Sequence, residues 1–141
     1  HYELNEVANF WESVVELNNW HQHRISNLVI KKLFGTVSEK KICILGFAFK
    51  ANTNDTRESA SIKICRDLLN EGAIHNIHDP KVNSLQIEEV LDKEIHNEDN
   101  HLQEKDKLSN YGSRQYTTNI YEGLEGVDAL IILTEWSEYS N

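Results

Sequence analysis

The stretch ICILGFAFKANTNDTRESAS, Ile42 to Ser61, sets the expected fold. Ile42 to Leu45 is a short apolar run of the kind that forms a strand buried on both faces. Gly46 follows, then Phe47, Phe49 and Lys50, then a polar loop, and then a helix expected from about Thr56 to Glu71. Asp55 with Glu58 three residues on makes a capping-box pattern for that helix, and Gly72 supplies the stop. Ile62, Cys65 and Leu69 line one helix face, with Ile64 and Leu68 beside it. In an open α/β sheet, a strand end feeding a loop and a helix start is where phosphate-bearing ligands sit.

Moving outward, a second strand is expected at about Ile74 to His78, ending at the turn Asp79-Pro80. A helix from Asn119 to Glu125 carries its own cap pattern, Asn119 with Glu122, and Gly126 closes it. It leads to a third, nearly all-apolar strand at about Ala129 to Leu133. Continuous apolar strands separated by helices predict a parallel sheet covered on both faces, an α/β Rossmann-like architecture. Between Lys81 and Tyr116 the pattern weakens. Ile87, Val90 and Leu91 fit a short helix, and the polar stretch Asp92 to Gln115 reads as a long, partly mobile surface excursion.

At the N-terminal end, Glu3 to about Phe34 is helical in pattern. Leu4, Val7, Trp11, Val14 and Val15 share one stripe, and Ile25, Leu28, Val29 and Leu33 continue a similar one. The polar stretch Asn18 to Arg24 suggests a bend or a break between two helices, and Gly35 a C-terminal cap. Trp11 and Trp20 fit either a core or a subunit contact. The expected organisation is therefore linker helices over residues 1–36 and a Rossmann-like domain over 37–141.

A chain of 141 residues, 39% hydrophobic and 26% charged, fits one globular domain with its own core. A net charge of −9 speaks against a nucleic-acid partner, which needs clustered Lys and Arg. It leaves a nucleotide open, since one or two well-placed cations suffice there. No run approaches the roughly 20 apolar residues of a membrane span, and no secretory-type leader opens the chain. Cys43 and Cys65, in a strand and on a helix, read as free buried thiols and fit a cytoplasmic setting. With no methionine present, the chain is expected to be a piece of a longer protein.

The glycine-rich dinucleotide fingerprint is absent, because Gly46 precedes Phe47-Ala48-Phe49. Asp79 resembles a ribose-holding acid but lies too far from Gly46, so a turn or cap role with Pro80 is expected. Lys50, just past an inner strand, suits a phosphate, a sugar oxygen or a carboxylate, or else a solvated loop. Arg57, read as lying in a first helical turn, opposes the helix dipole there. It either reaches for a phosphate or pairs with Asp55 or Glu58. His21 and His23 lack metal-binding spacing, His75 and His78 face opposite sides of a strand, and no metal site is expected. Nothing activates Cys65 as a nucleophile.

Gly46 to Ser59 resembles the motif that opens the C-terminal domain of the nucleotide-sugar 6-dehydrogenases. His78-Asp79-Pro80-Lys81-Val82, Tyr121 to Gly126 and Leu133-Thr134-Glu135-Trp136 point the same way, within the family towards members that oxidise UDP-glucose. The resemblance covers about Val14 to Tyr139. It implies a C-terminal UDP-sugar-binding domain in which Phe49 and Lys50 contact the UDP-sugar and Arg57 reaches an NAD held mainly by the N-terminal domain. It also implies two oxidations of UDP-glucose to UDP-glucuronate, through a thioester on a cysteine, and a homo-oligomer built through the central helices. The catalytic cysteine motif and the NAD fingerprint are not in these 141 residues, so no catalytic residue beyond an electrostatic Lys50 is expected and the piece alone should be inactive. GDP-mannose or UDP-N-acetylmannosamine is the alternative sugar, and a non-catalytic regulatory module, such as a receiver-like domain, the distant alternative.

Overall fold

The computed structural model describes residues 2–98 and 111–140. Its elements, in chain order, are α1 (Tyr2–Lys32), β1 (Lys41–Leu45), α2 (Ala60–Asn70), β2 (Ile74–His78), α3 (Ser84–Glu98), β3 (Ser113–Tyr116), α4 (Ile120–Gly123) and β4 (Ala129–Ile132). A 3₁₀ turn at Ser137–Ser140 follows. The strands form one parallel sheet in the order β3-β2-β1-β4. Connections β1→β2 and β2→β3 step one way along the sheet and β3→β4 returns past both. With right-handed crossovers, α2 and α3 therefore cover one face and α4 the other. The reversal falls between β1 and β4, the position where doubly wound sheets open a crevice for ligands.

β1 is buried because its neighbours enclose it on both edges and both faces. Ile42, Cys43 and Ile44 are all at 0% exposure, and Ile42 and Ile44 join Ile64, Leu68, Leu69, Ile77, Ile87 and Leu91 in one core. The expected strands at Ile74–His78 and near Ala129 form as read. Both thiols are free and buried; burial pushes Cys43 up to about 11 and Cys65 higher still, so neither is a nucleophile near neutral pH.

Four expectations need correction. First, α1 runs unbroken from Tyr2 to Lys32, since Asn18 to Arg24 contains neither Gly nor Pro and a solvent-facing turn needs no apolar stripe. Arg24 even lies 5.5 Å over the Trp20 ring one turn away. Second, α2 starts at Ala60, not Thr56: Glu58 has φ 58°, which no helical residue adopts, and Ser59 is the N-cap, its side chain accepting from Ser61 N. Third, the helix after Asn83 is longer than expected, reaching Glu98. Fourth, Ser113–Tyr116 is a fourth strand, paired with β2 at the sheet edge. The expected excursion is therefore helix up to residue 98 and strand from 113 to 116; the mobility expected of residues 99–110 lies outside the described residues.

The C-terminal half of α1 docks on α2. Asp67 Oδ2 accepts from Ser26 Oγ at 2.9 Å and lies 2.8 Å from His23 Nδ1. Val29, Ile30 and Leu33 pack against the core. The N-terminal half leaves Leu4, Val7, Phe10, Trp11, Val15 and Trp20 more than half exposed.

Asp79, directly after β2, ties the sheet's C-terminal edge together. Its Oδ1 accepts from Lys81 N at 2.8 Å and Val82 N at 2.9 Å, the expected turn role. Its Oδ2 reaches across to β1's exit, accepting from Phe47 N at 2.7 Å and Ala48 N at 3.0 Å, and from Trp136 Nε1 at 3.3 Å. Asp79→Ala strands buried donors in two segments, each worth about 1–3 kcal/mol when left unmet. A loss of about 3 kcal/mol is expected in urea unfolding. Asp79→Asn should lose nearly as much, because its amide NH₂ must face one of the two N–H pairs.

His75, on β2, is fully buried, and among the described residues neither ring nitrogen has a hydrogen-bond partner. Burial, with the neighbouring Arg114 adding like charge, lowers its pKa to about 3. An unfolded histidine titrates near 6.5. Below that pH the unfolded chain binds a proton that the folded chain refuses, so stability present above pH 6.5 is lost as pH falls towards 3. The slope is about 1.4 kcal/mol per pH unit. His75→Leu should flatten that part of the curve; an unchanged dependence of the urea midpoint on pH would refute the assignment.

Candidate functional site

The loop from Gly46 to Ser59 stands at the β1–β4 crevice, and its geometry begins with how its backbone is satisfied. Gly46 N donates to His78 O at 2.8 Å, and Gly46 O accepts from Ser61 Oγ at 3.2 Å. Phe47 N bonds Asp79 and Phe47 O accepts from Ser59 Oγ at 2.8 Å. Ala48 N bonds Asp79 and Ala48 O accepts from Thr134 Oγ1 at 2.8 Å. Phe49 N donates to Asp55 O at 2.7 Å. Every polar group of the backbone from Gly46 to Ala48 thus has a partner within the protein. In a glycine-rich dinucleotide loop those N–H groups hold a pyrophosphate; here the Asp79 carboxylate takes them.

Gly46 itself is required by close packing. Its φ is 93°, and a Cβ there would lie 2.5 Å from Thr134 Cβ. The glycine therefore serves the approach of β4's exit to β1's exit, not the approach of a ligand. Thr134 and Trp136, in the Leu133-Thr134-Glu135-Trp136 run, close that approach from the other side through their bonds to Ala48 and Asp79.

With the backbone occupied, the loop offers only side chains. Phe49 is 54% exposed, a large apolar ring presented to solvent, and Lys50 beside it is exposed. Arg57 does not lie in a helix but in the turn before Ser59, with its side chain 88% exposed. Of the expected partners it takes Asp55. Nε bonds Oδ1 at 3.0 Å and Oδ2 at 3.2 Å, and Nη2 bonds Oδ2 at 2.8 Å. The Arg57 bonds, with the charge of Lys50 contributing, lower the Asp55 carboxyl to about 2. The structure leaves Phe49, Lys50 and Arg57 exposed on the one loop between β1 and α2.

Two roles escaped the sequence. Asp55 and Glu58 read as a capping box, yet Asp55 turns its carboxylate to Arg57 N at 2.9 Å and to the guanidinium. Asp79 read as a local turn residue, yet half of its bonding crosses to residues 31, 32 and 57 positions away. A side-chain contact over such separations leaves no periodicity to find. The cavity of about 370 Å³ at the ends of β2 and β3, lined by Ile77, Pro80, Val82, Ile87 and Tyr116 among others, includes none of Phe49, Lys50 and Arg57. Those three stand on an open surface. Among the described residues no group of His, Cys, Asp and Glu could hold a metal ion, and no helix is long and apolar enough to cross a membrane.

Comparison with known proteins bears on this surface. Residues 43–141 match the model of the UDP-glucose/GDP-mannose dehydrogenase family, UDP binding domain. The chain is 43% identical over 136 residues to a UDP-glucose 6-dehydrogenase of Drosophila melanogaster, covering 96% of this chain and 27% of that one. It is 42% identical over 136 residues to that of Gallus gallus, covering 96% of this chain and 26% of the relative. A solved UDP-glucose dehydrogenase from the hyperthermophilic archaeon Pyrobaculum islandicum superposes with a TM-score of 0.66 at 26% identity, over 92% of this chain and 25% of that one. The chain thus spans about a quarter of the length of the relatives it matches. With the parallel sheet, the Gly46–Ser59 loop and these matches together, the chain belongs to the UDP-glucose/GDP-mannose dehydrogenase family, and its residues 43–141 correspond to that family's UDP binding domain.

Proposed function

We propose that this chain forms the C-terminal wall of the active site in a UDP-glucose 6-dehydrogenase, which oxidises UDP-glucose to UDP-glucuronate with two NAD. The observation that carries the reading is identity near 40% to enzymes of that name across 96% of the chain, Gly46–Ser59 included. Linker helix over residues 1–36 and sugar-binding domain over 37–141 is the division that goes with it.

Phe49 packs against the nucleotide sugar, and Lys50 places a compact positive charge near the sugar oxygens. An ammonium there stabilises negative charge as it develops on the hydroxyl oxygen of the carbon being oxidised, which is an electrostatic contribution and not a proton transfer. NAD supplies the hydride acceptor and is held mainly by the rest of the same chain. This domain does not fit a standard dinucleotide cradle, since Asp79 fills the backbone donors at β1's exit. It fits a contact from across a cleft, which Arg57 provides through its exposed guanidinium. The free buried thiols accord with a cytoplasmic enzyme.

The exposed stripe of α1 suits a second copy of the chain. Leu4, Val7 and Trp11 recur at helical spacing, each between 54% and 73% exposed. A contiguous apolar face of that kind marks an interface. Replacing these three by serine in the full-length enzyme is expected to reduce the assembly to a smaller species in size-exclusion chromatography with light scattering.

Lys50→Ala in the full-length enzyme is expected to lower turnover of UDP-glucose at least tenfold with the melting temperature unchanged. Wild-type turnover would remove Lys50 from the site. A panel of UDP-glucose, GDP-mannose and UDP-N-acetylmannosamine then tests the sugar directly.

A further inference from the structure

The Asp55–Arg57 pair is hard to explain as a stabilising contact. Both partners lie at the surface, with side chains 36% and 88% exposed, where an ion pair adds little to stability. Yet the segment around it is held with unusual care. Asp55 O accepts from Phe49 N at 2.7 Å, Asp55 N donates to Thr53 Oγ1 at 3.1 Å, and Asp55 Oδ1 accepts from Arg57 N at 2.9 Å. Asn52 and Glu58, both non-glycine, sit in the left-handed region at φ 65° and 58° on either side of it. Backbone conformations of that kind are costly and persist where a site needs them.

The geometry points to Asp55 as the positioning residue of this loop, presenting Arg57 to an anionic group of the cofactor while its backbone fixes Phe49 and Lys50 towards the sugar. A guanidinium has two edges that can take an oxyanion in a fork. Asp55 occupies the Nε/Nη2 edge, which orients the plane and leaves the Nη1/Nη2 edge facing solvent. An arginine side chain has several free torsions, and holding one edge removes most of that freedom before an anion arrives. The Asp55 carboxyl, lowered to about 2 chiefly by its bonds to Arg57, stays ionised near neutral pH and so keeps the charge that grips the guanidinium.

This inference rests on Arg57 facing the cofactor. The test uses the full-length dehydrogenase in three forms: Asp55→Asn, Arg57→Ala and the double variant. Asparagine keeps an oxygen for Arg57 N and so keeps the turn, but loses the charge that grips the guanidinium. The Kd for NADH, read from its fluorescence, is expected to rise about five- to tenfold in D55N, with the KM for UDP-glucose within twofold of wild type. R57A should weaken NADH at least as much, and the double variant no further than R57A alone. If R57A leaves the Kd for NADH unchanged, the cofactor-facing reading falls and takes this inference with it. If R57A is defective while D55N binds NADH as wild type or more tightly, the carboxylate does not present the arginine and the inference alone is overturned. An added loss from D55N in the R57A background overturns it equally.

Discussion

The bond on which this structure turns is the one from the Asp79 carboxylate to the backbone N–H groups of Phe47 and Ala48. A sheet with the order β3-β2-β1-β4 brings the exits of β1, β2 and β4 to one edge, where each strand leaves unpaired polar backbone behind. In a dinucleotide-binding domain a phosphate satisfies those groups. Here a side chain from the neighbouring strand does so permanently, and the same carboxylate holds the turn at Lys81 and Val82 and the Trp136 indole. Ser59, Ser61 and Thr134 complete the arrangement from the carbonyl side. The fold keeps the Rossmann frame while its own Asp79 occupies the backbone donors at β1's exit, which leaves side chains further along the loop as the groups our proposal gives to the ligands.

That transfer explains which parts were legible in the sequence. β1, β2 and β4 could be read because burial on both faces demands apolar runs, and the loop after β1 could be located because strand, glycine and helix follow in order. β3 could not. Ser113, Arg114, Gln115 and Tyr116 form a strand that, among the described residues, pairs with β2 alone, and their alternating half-burial gives no apolar run. The start of α2 was misplaced for a related reason. Asp55 and Glu58 have the spacing of a cap, but Asp55 has a stronger competitor in Arg57 two residues on, and Ser59 takes over the cap. Local pattern proposes a partner, and tertiary geometry chooses among several that the pattern permits.

The same contrast applies to the candidate site. Phe49, Lys50 and Arg57, the residues proposed to meet the ligands, are readable by residue type and by their place after β1, and the structure leaves all three exposed. Their supports were not visible. Asp55 acts through both backbone and side chain within one turn, and Asp79 acts across some thirty residues. Chemistry that meets a ligand leaves its mark in residue type; chemistry that holds such residues in place is distributed over separations that sequence spacing does not record.

The openness of this surface bears on how the proposed site would work. A lysine or arginine in water attracts an anion at 4 Å by about 1 kcal/mol, and by about 4 kcal/mol once the effective dielectric falls to that of a partly covered site. In the proposed site, Lys50 and Arg57 would therefore contribute little while exposed and much more once a second wall excludes water from them. For that gain to appear on closure, their positions must be set beforehand, because ordering them at the moment of binding would offset it. The internally bonded backbone from Gly46 to Phe49, fixed to the sheet through Asp79 and to the turn through Asp55, meets that requirement. On the proposed reading, the domain supplies geometry in advance and leaves the strength of the interaction to the wall that meets it.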